Sequence, residues 1–381
     1  MRILFVSDHA YLPQRVGGTK SSTHELCLSL RERGHKVGVL CHPGPRRDAL
    51  WLYHRVARRA FGPERPVADH VLGYPVWRRY DLDGRTLRLV AARLRAEAVV
   101  VQAERASPLI AAALETGLAV FVYLRDVELH KLAAPPPRDS RIRYIANSGF
   151  TAGRYREVFG IDPIVLPPLM RPERYRCTPD RRFVTFVNPV PVKGSDIAFA
   201  LAAARPDLDF LFVAGWPVDA AEDDARQERA RRLGNVTWQP SVQDMRRVYS
   251  RTRLLLAPSR WEEAWGRVAS EAQMSGIPVL ASDRGGLPEA VGPGGLLVPH
   301  DAPVEAWTAA LSAMLDDPAR YAAFSRAAAE HAARPEIVPD RLIARLEDVL
   351  AAHVAAWPRS DAAGRPARPA ALPAAAPAAR T

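Results

Sequence analysis

Short apolar runs alternate with helical patterns along the first half of the chain. Ile3–Val6 and Val37–Leu40 are apolar almost throughout, which favours buried strands. Between them, Ser21–Arg33 carries apolar residues at helical spacing, and Ser22-x-x-Glu25 reads as a capping box at its start. Such alternation is typical of a parallel sheet covered by helices. We therefore predict an α/β domain in the first half.

A second alternating series runs from Phe183–Asn188 to Val279–Ala281 and predicts a second α/β domain. Between the two series, prolines disfavour both helix and strand, as expected of a linker. With 381 residues, the chain has room for two domains of roughly 170 residues. The predicted units are residues 1–171, residues 172–357 with three closing helices, and an Ala/Pro/Arg-rich disordered tail at 358–381.

Positive charge is concentrated in the first half. Residues 1–170 hold 26 Lys and Arg against 16 Asp and Glu. In one stretch, arginines surround apolar side chains: Arg46, Arg47, Arg55, Arg58 and Arg59 lie around Trp51, Leu52, Tyr53 and Val56. This composition suits an amphipathic helix on a membrane surface, and the alternative is a solvated basic face. A lipid surface or an acidic acceptor is a candidate partner, and no nucleic acid partner is expected.

The chain lacks an apolar run near the roughly 20 residues that span a bilayer. Its first residues lead directly into a strand pattern without a cleavage region. We therefore expect a cytoplasmic protein, with peripheral contact at the inner membrane face left open. The sequence has no His/Cys/Asp/Glu cluster at metal-ligand spacing, so neither a metal nor a cofactor is expected.

Two glutamates eight residues apart, Glu263 and Glu271, carry the most informative chemistry. Gly266 lets the chain turn from loop into helix, which leaves one carboxylate before the helix and one inside it. Both can then face one cleft and accept paired hydrogen bonds from the hydroxyl groups of a ligand. The alternative is that both are solvated charges at the helix surface.

The string Ser259–Ser282 resembles the donor-site segment of the family 4 retaining glycosyltransferases, the glycosyl transferases group 1. That segment has a Glu-x7-Glu element ahead of a small-Gly-x-Pro-Val entry into a strand. The resemblance implies the GT-B fold, an α/β architecture with two facing Rossmann-like, doubly wound domains around a deep cleft. It also implies that the donor binds to the C-terminal domain, the acceptor to the N-terminal domain, and that the anomeric configuration is retained.

In the same family an Arg and a Lys five residues apart neutralise the departing diphosphate. Lys193, followed by Gly194, occupies the Lys position, but Asn188 stands where the Arg is expected. With Asn188 in place of the arginine, Lys193 alone would neutralise the diphosphate unless another arginine enters the site. Taken alone, Lys193 also fits a solvated surface lysine.

Two glycine turns are predicted to place backbone N–H groups near the ligands, although either also fits a simple connector. Gly285-Gly286-Leu287 follows the strand after Glu271, and Gly17-Gly18 follows the first strand. The predicted site comprises catalytic Glu263 and Lys193, with Glu271, Asn188, Gly194, Gly17, Gly18, Gly266, Gly286 and Leu287 as donor-binding residues.

In the acceptor domain, members of this family often carry a His after the fourth or fifth strand. Here Arg125 and Asp126 stand near that place, and His130 is the nearest His. These three residues are predicted to bind the acceptor. Ser148, which follows another strand pattern, is predicted to cap a helix.

The sequence therefore predicts a retaining, metal-independent, hexosyltransferase-like enzyme of carbohydrate biosynthesis. It would move a sugar from a nucleotide diphosphate to a glycan, lipid-linked or small-molecule acceptor. Two alternatives remain open. A nucleotide-sugar epimerase of the same fold would use the carboxylates for proton transfer, and a non-catalytic nucleotide-sugar binding module would fit the departure at Asn188.

Overall fold

The computed structural model describes residues 1–44, 48–62, 65–102, 106–216 and 218–357. The predicted tail at 358–381 lies outside these residues, as do Arg46 and Arg47 of the basic stretch. In the described part of the chain, no helix has the length and apolar character needed to cross a bilayer.

The first sheet is built from the first half of the chain. Its strands are β1 (Arg2–Ala10), β2 (Lys36–His42), β3 (Ala68–Asp69), β4 (Val76–Arg78), β5 (Ala98–Val101), β6 (Ala119–Leu124), β7 (Ile142–Ala146) and β8 (Ile164–Val165). Its helices are α1 (Gly18–Glu32), α2 (Ala49–Phe61), α3 (Gly84–Leu94), α4 (Ala106–Leu114) and α5 (Gly149–Phe159). The strand order is β3-β4-β2-β1-β5-β6-β7-β8, and the pairs are parallel except β3 with β4.

The second sheet has the order β11-β10-β9-β12-β13-β14, all parallel, in the numbering that follows. Its strands are β9 (Phe183–Val187), β10 (Phe210–Val213), β11 (Val236–Gln239), β12 (Thr252–Ala257), β13 (Val279–Ser282) and β14 (Gly295–Val298). The remaining helices are α6 (Ser195–Ala204), α7 (Ala220–Leu233), α8 (Arg246–Tyr249), α9 (Arg267–Gln273), α10 (Leu287–Val291), α11 (Val304–Leu315), α12 (Pro318–Ala332) and α13 (Pro339–Ala356).

Helices cover both faces of each sheet, so the central strands are buried on both sides. In β1, Ile3 and Phe5 enter one core cluster, and Leu4 and Val6 enter another on the opposite face. This is why these strands read as continuous apolar runs rather than alternating ones. The predicted fold class, two doubly wound α/β domains, is confirmed.

Each sheet has one point where the strand order reverses. In the first sheet β1 lies between β2 and β5, and in the second sheet β9 lies between β10 and β12. Loops that leave the carboxyl ends of the two strands beside such a point form a crevice in which α/β proteins bind ligands. The two crevices position the candidate site.

The start of α1 differs from the prediction. The helix begins at Gly18, with Gly17 as its N-cap and no side-chain cap. Ser22 and Glu25 lie inside the helix and are buried, so they do not form a capping box. In contrast, Ser148 caps α5 as predicted, because its hydroxyl accepts the backbone N–H of Thr151 at 2.9 Å.

The last helix, α13, packs on the first sheet rather than on the second domain to which the sequence pattern assigned it. Leu346 and Leu350 belong to the same core cluster as Phe5. Glu347 forms ion pairs with Arg33 and His35, each at 2.7 Å. The apolar stripe of α13 was recognised correctly, but such a stripe does not specify which of two cores it covers.

Candidate active site

Lys193 and Glu263 meet at the crevice of the second sheet. They lie on the loops that follow β9 and β12, which are neighbouring parallel strands. The Lys193 ammonium is 2.5 Å from Oε1 of Glu263, and the two side chains are only 15% and 21% exposed. The topology therefore brings together the two residues predicted to be catalytic.

Aromatic rings and a hydroxyl surround this ion pair. The Lys193 ammonium lies 4.8 Å from the ring centroid of Trp216 and 6.0 Å from that of Trp261. Within about 6 Å, such rings attract a cation through their π electrons. The Ser259 hydroxyl donates to Oε1 of Glu263 at 3.2 Å. Together these groups hold a positive charge in place at the mouth of the crevice.

Gly194 fixes the path of the Lys193 loop. Its φ is +81°, and a Cβ at this position would lie 1.9 Å from the carbonyl oxygen of Pro258. Only glycine tolerates both this left-handed conformation and so close an approach. Gly194 thus presses the loop after β9 against the end of β12, which places Lys193 beside Glu263.

Asn188 begins the same loop in a left-handed conformation, with φ +66°. Asparagine adopts this conformation more readily than most residues. Its Oδ1 accepts the backbone N–H of Trp216 at 2.9 Å, and the residue is 7% exposed. In the structure its side chain therefore holds the Trp216 segment beside Lys193 and brings no charge to the crevice.

Glu271 lies in the first turns of α9 and is almost fully buried. Oε2 accepts the Tyr249 hydroxyl at 2.8 Å, and Oε1 accepts Nε of Arg267 at 3.1 Å. Gly266, with φ +94°, supplies the turn into α9 that the sequence predicted. A carboxylate can accept about four hydrogen bonds, so Glu271 keeps lone pairs for a hydroxylated ligand.

The Gly285-Gly286-Leu287 turn is used differently from the prediction. The Gly286 N–H donates to the backbone oxygen of Glu263 at 2.6 Å, and the Leu287 N–H donates to Arg284 at 3.3 Å. Leu287 is 1% exposed. These two N–H groups therefore support the Glu263 loop from behind, and the predicted display of both to a ligand is wrong for this structure.

A second pocket opens at the crevice of the first sheet. Its lining residues come from β1, the start of α1, β6, the segments after β5 and β6, and α5: His9, Thr19, Lys20, Gln102, Val122, Tyr123, Leu124, Arg125, Asp126, Glu128, Leu132 and Tyr155. All of them belong to the first half of the chain. The lining includes Arg125 and Asp126, two of the three residues predicted to bind the acceptor.

Arg125 is fixed by α1 and by an aromatic ring. Its Nη1 donates to the Thr19 backbone oxygen at 3.0 Å and to the Thr23 hydroxyl at 2.9 Å. The guanidinium carbon lies 3.9 Å from the ring centroid of Tyr123. Burial lowers the pKa of this guanidinium from its ordinary value, and the nearby charge of Arg267 acts in the same direction, against an opposing contribution from Tyr123.

The other two predicted acceptor residues differ from each other. Asp126 lines the pocket, and its Oδ1 accepts the Glu128 N–H at 2.8 Å. His130 does not line the pocket; its side chain is 75% exposed and lies 3.8 Å from Glu128. The structure therefore gives no support to His130 as an acceptor ligand, because it points to solvent beyond the pocket wall.

The two crevices face each other through a buried polar cluster. Arg267, at the start of α9, donates to Glu271 and also reaches Oε1 of Glu25 in α1 at 3.2 Å. The Tyr175 hydroxyl donates to the same Glu25 oxygen at 2.6 Å. A Cβ on Gly18 would lie 3.3 Å from Cδ of Arg267. The start of α1 and the start of α9 therefore lie against each other.

A second contact joins the domains through Glu289 in α10. Its carboxylate accepts the backbone N–H groups of Gly149 at 2.9 Å and Phe150 at 2.7 Å. These are the first N–H groups of α5 in the other domain, where a negative charge is favourable. The sequence analysis did not single out Glu289.

Comparison with known proteins supports the resemblance over part of the chain. The model of the family described as "Glycosyl transferases group 1" matches residues 189–317, which include Lys193, Glu263 and Glu271. The matched segment contains the residues at the crevice of the second sheet.

Curated relatives match part of this chain. A D-inositol 3-phosphate glycosyltransferase from Segniliparus rotundus is 35% identical over 220 residues, which are 50% of this chain and 48% of the relative. One from Mycobacterium marinum is 40% identical over 168 residues, 41% of this chain and 35% of the relative. The chain thus spans about half the length of the first relative and about a third of the second.

Solved structures resemble the whole described fold. The Anabaena protein Alr3699/HepE in complex with UDP-glucose has a TM-score of 0.71 at 17% identity, covering 92% of this chain and 99% of that one. A sucrose-phosphate synthase from Thermosynechococcus elongatus has a TM-score of 0.71 at 16% identity, covering 93% and 100%. The chain described here therefore has the GT-B fold.

Sequence reasoning missed three residues that join the two halves of the chain. Glu25 was assigned to a local helix cap, and Arg267 and Glu289 were treated as neighbours of the motif residues. A buried ionisable residue inside an apolar helical stripe is a detectable signal, since such groups need partners. Glu25, within the buried face of α1, carries that signal, but its partners lie 146 and 242 residues away.

Proposed function

We propose that this chain transfers a sugar from a nucleotide diphosphate sugar to a hydroxylated acceptor, with retention of the anomeric configuration and without a metal ion. The Lys193–Glu263 pair at the crevice of the second sheet carries the proposal. It supplies one cation for a diphosphate and one carboxylate for a sugar, at the place where α/β folds bind ligands. The family match over this segment supports the same assignment.

On the donor side, the diphosphate replaces Glu263 as the partner of Lys193. A lysine ammonium on a flexible stem can turn towards a phosphate without moving the backbone. Glu263 is then released to accept hydrogen bonds from hydroxyls of the transferred sugar. Glu271, held by Tyr249 and Arg267, is positioned to accept the ribose hydroxyls of the nucleotide.

In the reaction, the bond between the anomeric carbon and the β-phosphate oxygen breaks, and a bond from that carbon to the acceptor oxygen forms on the same face. The acceptor proton passes to an oxygen of the departing diphosphate. Negative charge grows on the diphosphate during this step, and Lys193 stabilises it. The contacts between the starts of α1 and α9 bring the acceptor pocket and the donor crevice together.

UDP-glucose is the first donor to test, because the Anabaena neighbour was solved with UDP and with UDP-glucose. D-inositol 3-phosphate is the first acceptor to test, because the curated relatives bear its name. Release of UDP should depend on acceptor, and NMR of the product should show the anomeric configuration of the donor. The rate should be the same in EDTA.

The alternatives give different products. An epimerase would change the sugar of the nucleotide without needing an acceptor. A binding module would bind nucleotide but release none from any donor in the panel of UDP-, GDP-, ADP- and dTDP-sugars. Either result, or an inverted product, would overturn the proposal.

Peripheral membrane contact is the second part of the proposal, and α2 supports it. Four of its large apolar side chains, Leu52, Tyr53, Val56 and Phe61, are between 45% and 56% exposed. Arg55 and Arg59 of the same helix are also exposed. An exposed apolar stripe flanked by arginines matches a surface of anionic lipid, into which the apolar side chains insert while the arginines meet the headgroups.

A further inference from the structure

Arg267 joins three separate parts of the chain through its guanidinium. At the start of α9, its Nε donates to Oε1 of Glu271 at 3.1 Å. Nη2 donates to Oε1 of Glu25 in α1 at 3.2 Å and to the Tyr175 hydroxyl at 2.7 Å. Nη1 donates to the backbone oxygen of Leu169, in the segment between β8 and β9, at 3.4 Å. Every nitrogen of this side chain therefore has an acceptor, and the side chain is only 11% exposed.

Glu25 binds the far side of this arginine and is itself fixed at both oxygens. Its carboxylate is fully buried. Oε1 accepts the Tyr175 hydroxyl at 2.6 Å, and Oε2 accepts the backbone N–H of Arg171 at 2.7 Å. Arg171 and Tyr175 lie on the segment that runs from the first sheet to the second. A buried carboxylate needs a partner of opposite charge, and Arg267 supplies that charge from the second half of the chain.

Glu271 is held at one oxygen by Arg267 and at the other by the Tyr249 hydroxyl. These two bonds fix the plane of the carboxylate and leave its remaining lone pairs for the hydroxyls of a ribose. A binding group that is already fixed loses little conformational entropy when its ligand arrives. Arg267 can therefore raise the affinity of Glu271 for a nucleotide without contacting the nucleotide itself.

One guanidinium is thus shared between two buried carboxylates that lie in different halves of the chain. Glu271 is the carboxylate assigned to the ligand, whereas both oxygens of Glu25 are bonded to protein groups. A change in the distance between α1 and α9 would change how Arg267 is shared between the two. Contact between the halves and the orientation of Glu271 are therefore linked through this single side chain.

We propose that Arg267 is a positioning residue for Glu271, and that Glu25, acting through Arg267, couples nucleotide affinity to the contact between the two halves of the chain. This inference rests on the proposed function, because that function assigns Glu271 to the ribose. Its tests measure binding of a free nucleoside diphosphate, which does not require transfer to be observed.

The first test substitutes Arg267 in the intact protein. Arg267→Met keeps the length of the side chain and removes its charge, so free UDP should bind roughly tenfold to a hundredfold more weakly by calorimetry. Arg267→Lys keeps the charge and should lose less. With UDP-glucose as donor, Arg267→Met should raise KM by a similar factor and change kcat less than about threefold, because the ribose contacts are alike in the ground state and the transition state. Unchanged UDP binding in Arg267→Met, or a fall in kcat at unchanged KM, would overturn the positioning role.

Glu25→Gln tests whether the first half of the chain acts through this arginine. The substitution removes a charge in α1, and UDP should bind roughly threefold to tenfold more weakly. Glu25→Gln combined with Arg267→Met should bind UDP no more weakly than Arg267→Met alone, because the effect of Glu25 passes through Arg267. Glu32→Gln, in the same helix and paired with Arg171 at the surface, is the matched control and should leave UDP binding unchanged. Losses that add in the double variant, or no loss from Glu25→Gln, would overturn the coupling.

A measurement on the parent protein tests the same coupling if a variant fails to fold. Because coupling is reciprocal, UDP should strengthen the contact between Glu25 and the segment that carries Arg171. Hydrogen exchange of the Arg171 amide, which donates to Glu25, should therefore slow about threefold or more when UDP is added. The amides of α3, which packs on α4 and β2, are the reference. Equal slowing at Arg171 and in α3 would contradict the coupling.

Failure of this inference differs from failure of the proposed function. If sugar is transferred but UDP binding is unaffected by substitution of Arg267 and Glu25, the function stands and the coupling falls. If UDP binding depends on both residues and no sugar is transferred, the coupling stands and the transferase assignment falls. GDP, ADP and dTDP replace UDP in the same measurements if UDP does not bind, and binding of none of the four would overturn both.

Discussion

The two halves of the chain differ in whether their positively charged side chains have carboxylate partners. In the second half the cations at the crevice have carboxylate partners: Lys193 pairs with Glu263, and Arg267 pairs with Glu271. In the first half, Arg125 lines its pocket and forms no ion pair with a carboxylate of the described residues, and Arg55 and Arg59 of α2 lie exposed beside exposed apolar side chains. In the second half, cations and carboxylates are already paired and can exchange these partners for the charges of a ligand. The first half instead carries positive charges that anions from outside the protein can neutralise.

The largest effect should come from removing Lys193, the cation that pairs with Glu263 in the second half of the chain. Lys193→Ala should lower the rate of sugar transfer by about a hundredfold to a thousandfold, because the departing diphosphate loses its positive partner. Initial rates with a fixed donor would measure this. Lys36→Ala, at an exposed lysine on the first sheet, is the matched control. A loss below about threefold for Lys193→Ala would remove Lys193 from the mechanism.

Substitutions of Glu271 and Glu263, the two carboxylates at the crevice of the second sheet, should have different effects on binding and on transfer. Glu271→Gln should weaken binding of free UDP by roughly tenfold to a hundredfold, since charged hydrogen bonds to the ribose are lost. Glu263→Gln should leave UDP binding nearly unchanged while transfer falls, because its ligand is the sugar. Calorimetry with UDP and rates with the matched donor separate them. Equal effects on UDP binding would contradict the assignment.

On the first half, the charges of α2 should matter for lipid rather than for chemistry. Arg55→Gln with Arg59→Gln should weaken binding to vesicles rich in anionic lipid by about tenfold or more, since each arginine near such a surface contributes about 1 kcal/mol. Co-sedimentation would show it. Arg231→Gln with Arg232→Gln, which are exposed on α7, should leave binding unchanged. Equal loss from both pairs would indicate general attraction only.

Leu52→Ser with Val56→Ser tests the apolar part of the same surface. These substitutions keep the charge of α2 and should also weaken vesicle binding, with little change in stability because both side chains are already exposed. Transfer to a soluble acceptor should be unaffected by either pair of α2 substitutions. Vesicle binding that survives the loss of both apolar side chains would reduce the contact to electrostatics.

The smallest expected effect concerns Asn188, a neutral residue on the same loop as Lys193. Asn188→Ala should lower the free energy of unfolding by about 1 to 2 kcal/mol, because the Trp216 N–H loses its acceptor. Urea denaturation would measure it. Arg95→Ala, also at positive φ but exposed, isolates the backbone contribution. For the same reason, Asn188→Arg should cost stability.

The sequence specified the second half better than the first. Strands β9 to β13 are continuous apolar runs between helices with clear periods, so their existence followed from the pattern. Around residues 43–95 the two strands, β3 and β4, are only two and three residues long, and α3 follows them. Such short strands depend on their neighbours in the sheet rather than on their own sequence. No period marked them in advance.

The candidate site likewise has some features that nearby residues predict and others that depend on residues far away in the sequence. The turn at Gly266 and the adjacency of Lys193 and Glu263 follow from strand order and local spacing. The partners of Glu25 could not be predicted in this way, because Arg267 lies 242 positions away and the sequence around either residue does not indicate the other. Arg125 could be placed near a pocket from its position after a strand, but its lack of a counter-ion required the packed structure.

The return of α13 to the first sheet has a consequence for exchanging parts between enzymes of this kind. A fragment that stops before α13 would expose the core positions that Leu346 and Leu350 fill beside Phe5. A chimera made to change the nucleotide specificity must therefore be spliced twice, once between β8 and β9 and once ahead of Pro339. The donor half is an insertion within the first domain's chain, and a single crossover would leave each parent's last helix on a foreign sheet.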